Sequence, residues 1–164
     1  SDVHYAALRS RRTAGSLYLK MIDAQFSKRE IAERQLMRAL KLFFEEKDYI
    51  SVITLAGASE EILGFLAKAD GKHSTYESRK KAFEHVYGQF YGKPPEDKEF
   101  NELVNGVRNG LKHFTCGKPM TFDPEQEAIN ILDSAVTNYI LLTGIENEEI
   151  MKFRNYHKSL RITF

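Results

Sequence analysis

Apolar positions recur at intervals of three and four along most of the chain and do not alternate, the pattern of helices with one buried face. Ser27 and Glu30 form a capping box that opens a helix. Ala32, Leu36, Ala39, Leu40 and Phe43 make its core stripe, and Arg34, Arg38 and Lys41 lie opposite as a solvated face or a phosphate-tracking strip. The pattern breaks at Asp48 or Tyr49. Residues 49–69 are then apolar nearly all round, with Val52, Ile53, Leu55, Ala56, Ile62, Leu63 and Leu66, which predicts a central buried helix. Inside it Ala56-Gly57-Ala58-Ser59 is a waist of small residues that lets another helix come close. A second capping box, Ser74 with Glu77, opens a helix carrying Tyr76, Phe83, Val86, Tyr87 and Phe90, aromatics and a valine expected in the core. Gly92-Lys93-Pro94-Pro95 ends it. The next helix is expected over 95–114 and stops at the turn Thr115-Cys116-Gly117-Lys118-Pro119. Asp123-Pro124-Glu125-Gln126 reads as cap, N1 proline and N3 glutamine of a helix that ends at Gly144, with Leu132, Ala135, Val136, Tyr139 and Ile140 inward. A shorter helix over 146–160, with Ile150 and Phe153, precedes a β-flavoured tail over 161–164.

No strand alternation or internal repeat appears, and the connections are short. The expected fold is all-α, an up-down bundle of five to six helices in one domain over 27–160, behind an N-terminal arm over 1–26. The arm carries Arg9, Arg11 and Arg12 and a segment, Leu17 to Ile22, able to form a short helix. At 164 residues the chain is long enough for a real core. Its formal net charge of +1 argues against a protein held on nucleic acid by bulk charge, while leaving room for a local basic site. With Cys116 as the single cysteine no intrachain disulfide forms, and a reducing, cytoplasmic setting is the default expectation. No apolar run is expected to approach the roughly 20 residues of a membrane helix, so no membrane partner is expected, and the first residues have no apolar signal-peptide core.

The chemistry gathers on the helix over 95–114. Phe100, Leu103, Val104, Val107, Leu111 and Phe114 form its apolar stripe, while Asn105, Arg108, Asn109, Lys112 and His113 collect on the other side and Gly106 and Gly110 occupy a flank. Two glycines inside a helix cost about 1 kcal/mol each against alanine, which asks for a packing or functional reason. No two histidines stand at i, i+3 or i+4 and no Glu-x-x-His occurs, so no metal site or other cofactor is expected, and no phosphate-loop or nucleophile-elbow motif is present. Arg154-Asn155-Tyr156-His157 imitates the polar cluster at the wrong spacing. Cys116, three residues beyond His113, is a minor candidate for a polarised thiol. Glu60, at the boundary of the buried helix, needs a cationic partner, and Arg108 is the candidate; the alternative is that Glu60 and Glu61 are both solvated.

Arg108-Asn109-x-x-x-His113, late in a helix of a small all-α chain, resembles the HEPN superfamily over about 27–144. The resemblance implies a metal-independent endoribonuclease of toxin or defence type that works as a homodimer. In such chemistry the RNA 2′-hydroxyl attacks the adjacent phosphorus, leaving a 2′,3′-cyclic phosphate and a 5′-hydroxyl. His113 would move protons near neutral pH and Arg108 would hold the phosphorane oxygens. Asn109 would orient His113 or bond the phosphate, Lys112 and Asn105 would bind substrate, and Glu60 would support the site. An antitoxin partner belongs to the same expectation. Some HEPN proteins paired with nucleotidyltransferase antitoxins carry a tyrosine two residues beyond the histidine; Phe114-Thr115 stands here instead. Five positions on an ideal helix separate Arg108 from His113 by roughly 140°, so either the helix distorts near Gly110 or a second copy supplies the missing group. The dimer is expected through the helix over 105–113, with Gly106 and Gly110 as a smooth strip; alternatively the glycines pack on the Gly57 waist within one chain. The rival class is a non-catalytic helical dimer that serves as an interaction module. Arg108 and His113 both project from the apolar stripe, so neither is expected to support the fold.

Overall fold

The structure, a computed structural model, describes residues 24–113 and 119–161. The expectations for residues 1–23 of the N-terminal arm, for Cys116 and most of its turn, for Phe114 and for residues 162–164 lie outside the described residues. Six α-helices run in the order α1 (Lys28–Lys41), α2 (Tyr49–Ala69), α3 (Thr75–Tyr91), α4 (Asp97–Lys112), α5 (Pro124–Thr143) and α6 (Glu148–Arg161), with no strand among the described residues. The all-α bundle expected from the periodicity is what forms.

The local signals act as physical chemistry requires. Ser27 and Ser74 each accept from the N3 backbone amide while Glu30 and Glu77 reach back to the cap amide. Asp48 accepts from Ser51 N at 3.2 Å and Asp123 from Gln126 N at 3.0 Å, satisfying amides that have no partner in the first turn. Between α1 and α2 the chain passes through a π-helical turn, Leu42–Glu46, and Lys47 takes a left-handed conformation at φ 53°. That turn keeps Leu42 and Phe43 buried while redirecting the backbone into α2. Gly144, at φ 69°, closes α5.

The core lies between α1, α2, α5 and α6. It holds Leu36, Leu40, Phe43, Val52, Ile53, Leu63, Leu132, Val136, Ile150 and Phe153, with Phe43 edge-on to Phe153 and Tyr156. The small residues of α2 do what the sequence suggests. Buried Ser59 donates to Ala32 O of α1 at 2.8 Å, and Gly57 receives a side chain from α4. By length and composition α2, at 21 residues, is long and apolar enough to cross a membrane, against the expectation that no run comes near that size. In this fold it is the central helix, packed on α5 and α1.

The outlying part is the hairpin of α3 and α4, and here the expected burial fails. No residue of α3 is buried, and Val86 and Phe90 are exposed, Phe90 to 80%. On α4 only Phe100 is buried, while Leu103 is 67% exposed. The periodicity is real, but the four-helix core is already closed. The aromatics serve the hairpin instead, with Tyr76 and Phe83 against Phe100 at ring separations of 5.2 and 5.4 Å.

Polar contacts tie the foot of α3 to the bundle. Asn138 of α5, wholly buried, accepts from Thr75 N at 2.9 Å and Thr75 Oγ1 at 3.1 Å, and donates to Glu60 O at 3.3 Å. Arg79 donates to Ser134 Oγ at 3.1 Å. Replacing Asn138 by leucine leaves the Thr75 amide without its side-chain acceptor, so Asn138→Leu should lose about 1–3 kcal/mol in urea denaturation. A variant as stable as the wild type would contradict this tie.

Candidate functional site

Arg108 lies on the face of α4 that meets the waist of α2. Its Nη1 donates to Gly57 O at 3.1 Å and to Glu60 Oε2 at 3.4 Å, and its Nη2 lies 3.7 Å from Glu61 Oε2. The Arg108 and Glu60 side chains are each only 12% exposed. A Cβ at position 57 would collide with the aliphatic stem of Arg108, so the glycine makes the close approach sterically allowed. The pairing of Glu60 with Arg108 suggested by the sequence therefore forms, and Glu61 stays half exposed as the wheel requires. Arg108 is not the solvent-facing polar residue the sequence suggested. It is a wedge between two helices, and its Nε is buried without a hydrogen-bond partner.

Glu60 is held from the other side by Asn138, whose Nδ2 lies 3.4 Å from Glu60 Oε1. Burial pushes the Glu60 carboxyl above its ordinary value of 4.5. The Arg108 guanidinium pulls it down without cancelling that effect, Glu61 adds to the rise, and Arg79 and Asn138 oppose it. The ion-pair geometry alone would suggest a lowered value; at 3.4 Å on a buried carboxyl, desolvation outweighs the attraction.

The rest of the motif stands apart from this clasp. α4 runs without interruption through Gly110 and ends at Lys112, so no distortion at Gly110 brings His113 to the face of Arg108. His113 is extended, at φ −122° and ψ 127°, and its backbone amide bonds Asn109 O at 3.0 Å. The side chains of Asn109 and His113 are exposed and make no hydrogen bond with each other. Lys112 Nζ lies 3.9 Å from Glu61 Oε2. Gly106 opens on empty space, whereas a Cβ at Gly110 would collide with the side chain of Met120. The expected glycine strip is thus half covered, and neither glycine packs on the Gly57 waist; Arg108 does.

A cleft of about 490 Å³ opens between α2, α3 and α4. Asn105 and Arg108 line it with Glu60, Glu61, Phe65 and Lys80, while Asn109, Lys112 and His113 do not. Its acids Glu60, Glu61 and Glu77 face the cations Lys68, Lys80 and Arg108, so its formal charges balance. Among the described residues no group of three His, Cys, Asp or Glu is placed to hold a metal ion. The imitating cluster near the C-terminus is spent on structure: Arg154 pairs with Glu146, and His157 Nδ1 with Asp133 at 2.8 Å. The stripe on α1 is spent locally, with Arg34 over the Phe26 ring, Arg38 on Glu46 and Lys41 near Glu45.

Set against protein-family models, curated proteins and solved structures, the chain gives no match. The geometry itself is what bears on function.

Two predictions follow from the clasp. Arg108→Ala empties the Gly57 groove and strands Glu60, and should cost about 2–4 kcal/mol, whereas His113→Ala should stay within about 0.5 kcal/mol of wild type. Equal stabilities by chemical denaturation would contradict the wedge. Because the folded-state value of Glu60 is raised, its contribution to stability is fully present below the unfolded value near 4.5 and is lost as pH rises through the raised value. The wild type should therefore lose melting temperature relative to Glu60→Gln as pH is raised from 4 toward neutrality. A gap moving in the wild type's favour over that range would mean that the ion pair, not burial, dominates.

Proposed function

We propose that this chain is a metal-independent endoribonuclease of the HEPN kind, acting as a homodimer. The observation that carries the reading is the arrangement on α4. A cation, Arg108, is held rigidly at the wall of an open cleft by Glu60 and Gly57. At the end of the same helix stands an exposed imidazole, His113, with Asn109 and Lys112 exposed beside it. A preorganised guanidinium and an accessible general acid–base are the two groups that cleavage through the 2′-hydroxyl requires. Within one chain they point to different surroundings, so the reading places a second copy across α4 to complete each site. Val86, Phe90, Tyr91 and Leu103 give the hairpin an exposed apolar surface suited to such a partner. The proposed mechanism uses no metal or other cofactor, and an antitoxin remains part of the proposal only as a protein that would cover the α4 surface.

A second reading, a helical dimer that binds partners without catalysis, is favoured by one fact: the Arg108 guanidinium is already met by two carboxylates, Glu60 and Glu61. Labelled single-stranded RNA incubated with the protein in EDTA separates the two. The ribonuclease reading expects fragments ending in 2′,3′-cyclic phosphate and a fall of on the order of 10²–10⁴ in rate for His113→Ala. Intact RNA, or equal rates for the two proteins, would leave the interaction module. Light scattering should give twice the chain mass at tens of micromolar, and Leu103→Glu should halve it; a monomeric wild type would remove the shared site.

A further inference from the structure

We propose that the cleft between α2, α3 and α4 is a nucleobase subsite, in which Asn105 reads the base edge and Phe65 stacks on its face. The proposal rests on the ribonuclease reading and names the part of a single-stranded RNA that this cleft would take. The balanced charges of the cleft are the first argument. Lys68 lies 3.4 Å from Glu77 and Lys80 is 2.6 Å from Asp97. A phosphate gains little from lysines already paired, whereas a flat, uncharged ligand with a hydrogen-bonding edge loses nothing by entering. The volume, about 490 Å³, falls in the roughly 300–1,000 Å³ range of small-molecule sites.

The second argument is an unspent amide. Asn105 stands half-buried on the cleft wall, and its side chain makes no hydrogen bond among the described residues. Neighbouring Asn101, by contrast, accepts from Tyr76 Oη at 2.6 Å. A primary amide offers a donor and an acceptor side by side, and adenine is the base whose edge an asparagine meets most directly in this bidentate way. Phe65 is the third argument. It is 70% exposed, at the rim the cleft shares with a second hollow of about 400 Å³. An accessible ring beside a base-sized space is the platform that single-stranded RNA uses for stacking. The second hollow is lined by Lys28 and Lys112 with Glu61, two cations to one acid, and so suits the phosphate that follows the base. Base and phosphate thus fall on opposite sides of Phe65.

Calorimetric titration of the full chain with AMP, GMP, CMP, UMP and ribose 5-phosphate tests this without turnover. The expected result is saturable binding of AMP, weaker binding of the other nucleotides, and ribose 5-phosphate weaker than AMP by tenfold or more. Asn105→Leu and Phe65→Ala should each weaken AMP by roughly tenfold. Absence of saturable binding, equal affinity for all four nucleotides, ribose 5-phosphate matching AMP, or wild-type affinity in both variants would overturn the assignment. AMP binding without any RNA cleavage would sink the ribonuclease reading and leave the subsite standing; cleavage without nucleotide binding would do the reverse.

Discussion

The clasp of Arg108 between Gly57 and Glu60 is the contact on which the candidate site depends. The core of α1, α2, α5 and α6 closes by apolar packing. The α3–α4 hairpin does not join that core through a continuous apolar face, since α3 buries no residue and α4 buries Phe100 alone. The hairpin is instead placed by polar contacts: Thr75 and Arg79 onto α5, and Arg108 onto α2. Such contacts are directional, so they fix where α4 sits more tightly than they stabilise it. They also set the walls of the cleft and the position from which Lys112 and His113 extend.

Much of the fold could be read from the sequence because its signals are local. The capping boxes at Ser27 and Ser74, the cap at Asp123 before Pro124 and the glycine stop at Gly144 each act within one turn. The bounds of α2 follow from the same kind of signal. What escaped is non-local. The wheel of α3 shows an aromatic face but cannot say whether a core remains for it to join. Leu103 has the spacing of a core residue, yet it stays exposed because the four-helix core closes without it. Arg108 shows the opposite error: a charged residue on the polar side of its own wheel is buried because the helix it meets carries a glycine. The small waist at 56–59 and the boundary acid Glu60 together pointed to that pairing. Asn138 is not among the expected core residues, although its place between Ala135 and Leu142 on an otherwise apolar stripe marks it as a buried polar group that requires partners.

Of the site residues, the fold brings Arg108, Glu60 and Asn105 to one cleft and leaves Asn109, Lys112 and His113 at the helix end. In the proposed ribonuclease this division would give the two halves of the motif different work. The buried half is held still by a carboxylate whose ionisation is itself opposed by burial. The other half, Asn109, Lys112 and His113, is exposed at the helix end. A proton-transfer group gains from access, and an electrostatic stabiliser gains from immobility.

A double-mutant cycle on Arg108 and Glu60 tests the clasp most directly. Arg108→Met, Glu60→Gln and the double variant would be compared with wild type by urea denaturation at neutral pH. A coupling energy of about 1–3 kcal/mol is expected for a pair of this geometry and burial. A coupling indistinguishable from zero would contradict the account, because α4 would then be positioned by something other than the contact on which the site is built.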